Sequence, residues 1–321
     1  MCKPMHLCAY VVQLFRHVVL LFLIIGIFSC GSNELLEEVI EYPSYPSASG
    51  IEYRNKKIYI IGDDATHLLV LDSNMAYADS IILYPGNEKK IPKAVKPDLE
   101  AAAFTNDGRL LLLGSGSASP QRNIGWFIDP DNKKADSIRL DTFYSRLQLN
   151  GIKELNIEGA TAIPGSFVLS SRGSKGYPRN HLIITDKNFW RKQSQAAITT
   201  ILAGSNTDSS LFSGISGLAY ASKSDRLLLT VSTEDTRNSI DDGAIGKSYI
   251  WIIKNISSKK RWKAINPDKI IGLESLDPKF KGQKIESVCI TKETTDFLHL
   301  VLVADNDNGS STLFRVIVQK D

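Results

Sequence analysis

The chain has 321 residues, of which 43% are hydrophobic and 23% are charged, and its formal net charge is +3. This composition allows a large buried core in one or two domains and excludes an intrinsically disordered chain. The near balance of charge gives no general electrostatic reason to expect nucleic-acid binding, and four Cys exclude a disulfide-built mini-fold.

The first thirty residues predict an export signal. Lys3, Arg16 and His17 precede an apolar run over 18–28, and small residues follow. A basic region, an apolar core of about ten residues and a small residue before the cleavage site are typical of a secretory signal peptide, whereas a membrane span needs roughly 20 apolar residues. Ile27-Phe28-Ser29-Cys30 resembles a bacterial lipobox, which implies lipidation of Cys30. An ordinary signal peptide is the alternative.

These features predict a signal peptide over 1–29, a lipidated tether over 30–35 and a single folded domain over 36–321. The predicted location is the cell envelope of a bacterium, on the periplasmic side or the outer surface, with Cys30 as the membrane anchor. Two or more acyl chains are enough for stable anchoring. The folded domain then holds one thiol, Cys289, which we predict to be a core residue because apolar neighbours flank it.

A short unit recurs along the predicted domain and consists of an apolar residue, then Glu or Ser, then a mostly small residue. Its five occurrences, at intervals of 48 to 70 residues, are Ile51-Glu52-Tyr53, Leu99-Glu100-Ala101, Ile157-Glu158-Gly159, Ile215-Ser216-Gly217 and Ile285-Glu286-Ser287. A β-rich run follows each unit, and in most units two further strands follow that run. Four antiparallel strands repeated about every 50 residues are typical of a β-propeller blade. Helical periodicity is nearly absent, apart from one short helix expected over 142–149.

The two ends of the predicted domain complement each other. The last unit ends after the strand 312–318 without a fourth strand, and the strand 36–42 has no unit of its own. If the N-terminal strand completes the last blade, the ring closes and no free sheet edge is left. The predicted fold is therefore an all-β, five-bladed β-propeller closed by an N-terminal strand. Six blades, with a degenerate unit hidden in 142–155 or 236–246, are the alternative.

The repeat predicts one polar channel mouth. In a propeller the first strand of each blade lines the central channel, and it begins at the same end as the loop between the second and third strands. Glutamates should therefore converge around the axis, with acidic and Arg side chains of the loops around them. The predicted ring is Glu52, Glu100, Glu158 and Glu286 with Ser216 in the fifth place, and the predicted surrounding residues are Asp63, Asp64, Arg122, Arg172, Arg179 and Glu234.

Four carboxylates around a narrow channel need compensation, because like charges and desolvation both raise carboxyl pKa values. Arg side chains, a bound cation, or hydrogen bonds that latch one blade to the next would each provide it. Ca²⁺ is the candidate cofactor, since it takes about 6–8 oxygen ligands in flexible geometry. Asp305 and Asp307, in an oxygen-rich loop that is not an EF-hand, are candidate metal ligands.

Arg172 follows a β-rich run, so its side chain should emerge beside the acids. A guanidinium there either binds an anionic ligand bidentately or neutralises the glutamates. The sequence contains no nucleophile elbow, P-loop, dinucleotide fingerprint or paired Cys motif. No nucleic-acid partner is predicted, and the domain is expected to be a monomer.

Several segments together resemble an uncharacterised family of bacterial propeller lipoproteins and are more distantly similar to the esterase-like phytase group of secreted propellers. They are Ser49-Gly50-Ile51-Glu52, Asp98-Leu99-Glu100-Ala101, and Asn156-Ile157-Glu158-Gly159 with Arg172-Gly173. The likeness covers about residues 36–318. In phytase-like relatives it implies phosphoester hydrolysis with Ca²⁺ at the acidic channel mouth, and Ser216 in place of Glu departs from that pattern.

Three hypotheses of function follow. The first is a lipid-anchored propeller that binds an unknown small-molecule or anionic ligand, with or without Ca²⁺, at the acidic and Arg-lined mouth. The second is a Ca²⁺-dependent, phytase-like phosphoesterase. The third is a non-catalytic scaffold for partner proteins, in which the polar channel residues act only as latches between blades.

Overall fold

The computed structural model describes residues 34–86, 90–204, 212–234, 245–305 and 309–320. The segment Glu34–Asp321 forms one compact unit. Its described strands, in chain order, are β1 (Leu35–Tyr42), β2 (Ala48–Arg54), β3 (Lys57–Gly62), β4 (His67–Asp72), β5 (Tyr77–Ile82), β6 (Leu99–Phe104), β7 (Leu110–Gly114), β8 (Ile124–Asp129), β9 (Lys134–Arg139), β10 (Ile157–Ile163), β11 (Ser166–Ser171), β12 (Asn180–Thr185), β13 (Ile198–Ala203), β14 (Ser213–Ala221), β15 (Arg226–Glu234), β16 (Ile245–Lys254), β17 (Ala264–Ile265), β18 (Lys269–Gly272), β19 (Ile285–Glu293), β20 (Phe297–Asp305) and β21 (Ser311–Gln319).

The strands form five small sheets, which confirms the five-bladed β-propeller. Blade one is β2 to β5, blade two β6 to β9, blade three β10 to β13 with β17, blade four β14, β15, β16 and β18, and blade five β19, β20, β21 and β1. The first strands β2, β6, β10, β14 and β19 each pack against the first strands of both neighbouring blades. The innermost strands therefore form a closed circle around one axis.

The N-terminal strand closes the ring, as the sequence predicts. β1 pairs antiparallel with β21 from Leu35 opposite Ile317 to Tyr42 opposite Ser311. Outside the ladder, Lys269 Nζ lies 2.7 Å from Glu34 Oε1. The two ends of the described chain thus complete the same blade.

Short helices and 3₁₀ turns fill the connections. The helices are Asp141–Leu149 and Leu273–Leu276, and the 3₁₀ turns are Phe189–Arg191, Ile256–Ser258 and Pro278–Phe280. The first helix is the one expected over 142–149, and it buries Phe143, Tyr144 and Leu147 between blades two and three. No helix in the described part of the chain is long and apolar enough to cross a membrane.

Apolar side chains from facing blades fill the spaces between the sheets, because alternate residues of a strand point to opposite faces. Between blades two and three, the rings of Phe143 and Phe189 lie 4.4 Å apart. Cys289 is 2% exposed and packs with Val301 and Val303 between blades five and one, so its prediction as a core residue is confirmed.

A β-bulge lies near the start of every first strand. The ladder skips one residue at Ser49, Glu100, Glu158, Ser216 and Glu286. The residue after each bulge is small: Gly50, Ala101, Gly159, Gly217 and Ser287. A Cβ added at Gly159 would lie 2.9 Å from the Leu218 amide nitrogen, and one at Gly217 would lie 2.7 Å from Ser287 Cα. Small residues at these two positions thus let neighbouring first strands approach closely.

Replacing Gly159 with Ala is expected to lower the free energy of unfolding by about 2 kcal/mol, since the added methyl group must displace the backbone of the next blade. Urea denaturation measures the change. Gly272→Ala is the matched control, because the nearest atom to its added Cβ is Ser275 Oγ at 3.5 Å. Equal losses in the two variants would contradict the packing argument.

Candidate functional site

The five bulge residues form a ring around the axis, and three of them carry carboxyl groups: Glu100, Glu158 and Glu286. Their charges act on one another: burial raises the pKa of Glu100 most, and the charges of Glu158 and Glu286 raise it further. The loops between second and third strands end beside them. We call this end of the propeller the channel mouth.

Glu52 does not belong to this ring, so the prediction that it takes the first place is wrong. The β2–β3 ladder pairs Glu52 with Tyr59 in regular register, and the bulge lies three residues earlier at Ser49. Burial raises the pKa of Glu52 to about 8. The pKa of the Cys289 thiol is raised mainly by burial, and the charge of Glu52 raises it further.

Serines hold the other two ring positions and link neighbouring blades. Ser216 Oγ donates to the Ile285 carbonyl at 2.7 Å, and Ser49 Oγ donates to the Leu99 carbonyl. In both cases the acceptor directly precedes the bulge residue of the next blade. The two serines therefore act as hydrogen-bonded latches between neighbouring blades, which is one of the roles considered for the repeated polar residue.

Glu158 and Glu286 each have one polar neighbour two residues earlier in the chain. Asn156 Nδ2 donates to Glu158 Oε1 at 2.6 Å, and Lys284 Nζ lies 3.0 Å from Glu286 Oε1. Burial raises the pKa of Glu158 to about 8, although the charge of Arg172, whose Nη1 lies 4.0 Å from Glu158 Oε2, opposes the shift. The second oxygen of Glu286, Oε2, is buried and has no hydrogen-bond partner among the residues that the structure describes.

Glu100 is the least compensated carboxyl of the ring. It makes no hydrogen bond or ion pair with any residue in the described ranges. Burial raises its pKa well above the usual value, and the neighbouring acids Glu158, Asp98, Asp63 and Glu286 raise it further. The environment of Glu100 therefore favours its protonated form, or a cation beside it.

A charged network at the rim lies next to Glu100. Lys96 Nζ lies 2.9 Å from Asp98 Oδ1 and also contacts Asp63 Oδ2. Arg122 Nη1 lies 2.5 Å from Asp98 Oδ2. Burial raises the pKa of Asp63 to about 6 despite the opposing charge of Lys96. Asp63 Oδ1 is buried and has no hydrogen-bond partner within the described segments.

This network contains a group of carboxylates close enough for a metal ion. Oxygen atoms of Asp63, Asp98 and Glu100 lie within 4.8 Å of one another, and no other such group of three occurs in the described ranges. That spacing fits oxygen ligands at Ca²⁺ distances of about 2.3–2.6 Å. The ammonium group of Lys96 already supplies positive charge to both aspartates. Asp305, the predicted metal ligand at the end of β20, is not in this group, and Asp307 lies outside the described residues.

The remaining predicted residues are placed as follows. Asp64 Oδ2 lies 3.1 Å from Lys90 Nζ, and Arg172 Nη2 donates to Ser232 Oγ at 3.3 Å. Arg179 is exposed and its guanidinium lies 5.9 Å from the centre of the Tyr177 ring. Glu234 is the last residue of β15, but its side chain is not among the described ones. Cys30 lies outside the described part of the chain.

The sequence profile of the DUF6929 family, a family of unknown function, matches residues 44–318. The chain belongs to this DUF6929 family. No curated protein sequence matches it significantly.

Solved structures from bacteria are similar to this DUF6929 member. Glutaminyl cyclase of Myxococcus xanthus superposes with a TM-score of 0.53 at 10% identity, over 90% of this chain and 97% of that one. Virginiamycin B lyase of Staphylococcus aureus gives a TM-score of 0.39 at 8% identity, over 88% of this chain and 99% of that one. At these identities the similarity concerns the fold alone.

Sequence reasoning missed Lys96, Asp98, Asn156 and Lys284. Asp98, Asn156 and Lys284 share one signal, because each stands two residues before a bulge glutamate. An extra residue at a bulge re-aims side chains beside it. At two of the three positions, Asn156 and Lys284, the polar residue at this spacing contacts the ring carboxyl, whereas Asp98 repels Glu100.

Proposed function

We propose that this protein is a lipid-anchored envelope β-propeller that binds a small ligand at the channel mouth without catalysing a reaction. The observation that carries the proposal is the incomplete pairing of the ring carboxyls. Glu286 Oε2 is buried without a partner, and Glu100 has no polar partner in the described ranges. A buried polar group left unpaired costs about 1–3 kcal/mol, so its presence supports a bound partner.

The charge of the mouth favours a ligand with a cationic group. Arg122 and Arg172 lie beside Asp98 and Glu158, so each already offsets an acid. This pairing supports neutralisation as the role of Arg172. Glu100 is the ring carboxyl with the least compensation, because burial and four neighbouring acids raise its pKa. An ammonium or guanidinium group would offset it.

An organic cation fits the ring better than a lone metal ion. Glu100, Glu158 and Glu286 do not form a metal-sized group within the described residues, in contrast to Asp63, Asp98 and Glu100. In the group of Asp63, Asp98 and Glu100, the Lys96 ammonium contacts both aspartates and so takes the place that a metal ion would need. A primary amine, guanidine or quaternary amine can bridge more widely spaced carboxylates through hydrogen bonds or diffuse charge.

A thermal-shift screen of amines, guanidines and quaternary ammonium compounds tests the proposal. We expect at least one compound to stabilise the protein, and Glu100→Gln to reduce its affinity at least tenfold in calorimetry. Glu52→Gln is the matched control, because Glu52 is another glutamate with a raised pKa but lies outside the ring. Equal affinity of Glu100→Gln and wild type would contradict the proposal.

The group Asp63, Asp98 and Glu100 favours a second candidate, a Ca²⁺-dependent phosphoesterase. Bound Ca²⁺ would polarise a phosphoryl oxygen, and Arg122 would hold the anion beside it. Its binding requires displacement of the Lys96 ammonium. The second candidate predicts a higher melting temperature in Ca²⁺ than in chelator, loss of that shift in Asp98→Asn, and hydrolysis of a phosphoester panel. Identical melting in Ca²⁺ and chelator would exclude it.

A further inference from the structure

The connection between β16 and β18, which we call the strap (255–268), is basic and aromatic. It contains Lys259-Lys260-Arg261-Trp262-Lys263 and a single acid, Asp268. Trp262 is 50% exposed, whereas Trp190 and Trp251 are 5% and 7% exposed. Arg261 and Lys263 beside it are exposed as well. An exposed Trp flanked by cations is therefore held on an ordered part of the surface.

The first part of the strap, through Trp262, lies on the face opposite the channel mouth, which we call the basal face. β10 starts at the mouth with Glu158, so the turn that follows its other end, at Pro164 and Gly165, lies on the basal side. Lys260 Nζ donates to the Pro164 carbonyl and to Ser166 Oγ, the latter at 3.2 Å.

The neighbouring Lys259 is also held on the basal side. Its Nζ lies 3.1 Å from Asp268 Oδ2, which accepts from the Lys254 amide at the basal end of β16. The same Nζ lies 5.2 Å from the centre of the Trp262 ring. These contacts place 259–262 on the basal side, between blades three and four. From Lys263 onward the strap follows the outer strand of blade three toward the mouth, since β17 pairs parallel with the last two residues of β13.

The chain enters the propeller on the same face. Lys269 directly follows the strap, and its Nζ lies 2.7 Å from Glu34 Oε1 and donates to the Gln319 carbonyl at 2.9 Å. Cys30 precedes Glu34 by four residues. Four residues of extended chain span at most roughly 14 Å. A lipid on Cys30 would therefore keep the basal face close to the membrane.

A neighbouring connection adds further positive charge. The basal segment between β12 and β13 carries exposed Lys187, Arg191 and Lys192 against one exposed acid, Asp186. Basic clusters next to a membrane anchor are attracted to anionic lipids, and Trp side chains favour the headgroup region. One acyl anchor combined with a basic patch is an arrangement that gives stable membrane binding.

We propose that the basal face docks on the anionic surface of a phospholipid bilayer, with Trp262 among the headgroups and Arg261 beside it against lipid phosphates. The channel mouth then faces away from the membrane, toward dissolved ligand. The inference rests on the lipid-anchored location proposed above. A lipid surface is favoured over a nucleic acid because the strap presents Trp262 at its centre and lies beside the predicted tether.

Quenching of Trp fluorescence by brominated lipids tests the docking. The full mature lipoprotein is reconstituted in brominated vesicles of phosphatidylcholine with or without phosphatidylglycerol. We expect strong quenching with phosphatidylglycerol, at least twofold weaker quenching without it, and loss of most of the quenching in Trp262→Phe. Arg261→Gln with Lys187→Gln should also reduce quenching at least twofold, because both exposed cations lie on the basal side.

The matched control is Lys279→Gln with Lys281→Gln, because these exposed lysines lie in the segment that leads to the mouth end of β19. Equal effects of the two double variants, or quenching unchanged by Trp262→Phe, would overturn the docking. Acylation of Cys30 is measured separately, by mass spectrometry of the peptides that contain this residue. If the protein is acylated and bound to vesicles but Trp262 is not quenched, the docking proposal is wrong and the proposed location stands. If the chain carries no acyl groups, the proposed location is wrong. Binding to a soluble polyanion as tight as to anionic vesicles would overturn the lipid assignment.

Discussion

Deletion of residues 34–42 is expected to lower the free energy of unfolding by about 5 kcal/mol or more, which would unfold much of the population at room temperature. The deletion removes β1 and its whole ladder with β21. It also exposes the blade-five core that Leu36 and Val39 cover, including Phe314 and Val316. Blade five would keep three strands and gain a free edge, which favours aggregation.

Urea denaturation and light scattering of the mature protein measure both effects. Glu37→Ala is the control within the same strand, since Glu37 is exposed and stands at the break in the β1 ladder. We expect it to change the stability by no more than about 0.5 kcal/mol. An unchanged denaturation midpoint after the deletion would show that ring closure contributes nothing to stability.

The blade count and the closure were predictable because they depend on local patterns. Alternating apolar runs predict strands, and turn signals such as Asp107-Gly108, with Gly108 at a φ of +90°, predict the hairpins between them. The unmatched strands at the two ends of the domain then leave one arrangement without a free edge. β17 shows the limit of this reasoning. It has two residues and lies between two strands of blade four in the chain, yet it pairs parallel with β13 of blade three, so a tertiary contact alone creates it.

Four of the residues predicted for the ring stand at β-bulges, and they are Glu100, Glu158, Ser216 and Glu286. Glu52 does not stand at a bulge, for a physical reason. Ile51-Glu52-Tyr53 imitates the repeat, but Tyr53 is large where the other units carry Ala, Gly or Ser. The approach of neighbouring first strands leaves no room there, as the contacts at Gly217 show. The bulge falls at Ser49, which precedes Gly50. The small residue is therefore a better marker of the channel than the glutamate.

The charged rim was less predictable, since it depends on contacts between blades. Lys96 precedes blade two in the chain, yet its ammonium contacts Asp63, which follows the second strand of blade one. No spacing within one blade indicates this pair. The arrangement of neighbouring sheets decides which acids form an ion pair with Lys96: Asp63 and Asp98 do, whereas Glu100 acts on the same ammonium group only through its charge.

Stability is expected to fall as the pH rises from 6.5 to 8. Burial raises the pKa of Glu158 and of Glu52 from 4.5 to about 8, so the folded protein keeps protons that the unfolded chain has already lost. Where the folded state binds more protons, a rising pH favours unfolding, by about 1.4 kcal/mol per pH unit for each such group. The expected loss over this window is on the order of 2–4 kcal/mol.

Other titrating groups act outside this window. The pKa values of His67 and His181 are lowered by burial from 6.5, so their contribution increases with pH only below 6.5. Asp107 has a pKa of about 2 because its bonds to Thr105 and Arg109 outweigh burial, so its contribution is lost only in acid. A fall in stability above pH 6.5 therefore reports on the buried glutamates.

Glu100→Gln tests directly whether buried glutamates cause the loss of stability at high pH. Of the substitutions at the channel mouth, it has the largest expected effect on stability. Burial and four neighbouring acids raise the pKa of Glu100, and an amide of the same shape needs no proton. We expect the variant to be more stable than wild type at pH 8, by on the order of 2 kcal/mol, and nearly equal to it at pH 5. Urea denaturation at a series of pH values measures the difference, with exposed Glu37→Gln as the control. Parallel pH profiles for Glu100→Gln and wild type would show that this carboxyl is ionised without cost. The same result would remove the reason for a cationic ligand at the ring, since such a ligand gains its binding energy by relieving this uncompensated burial.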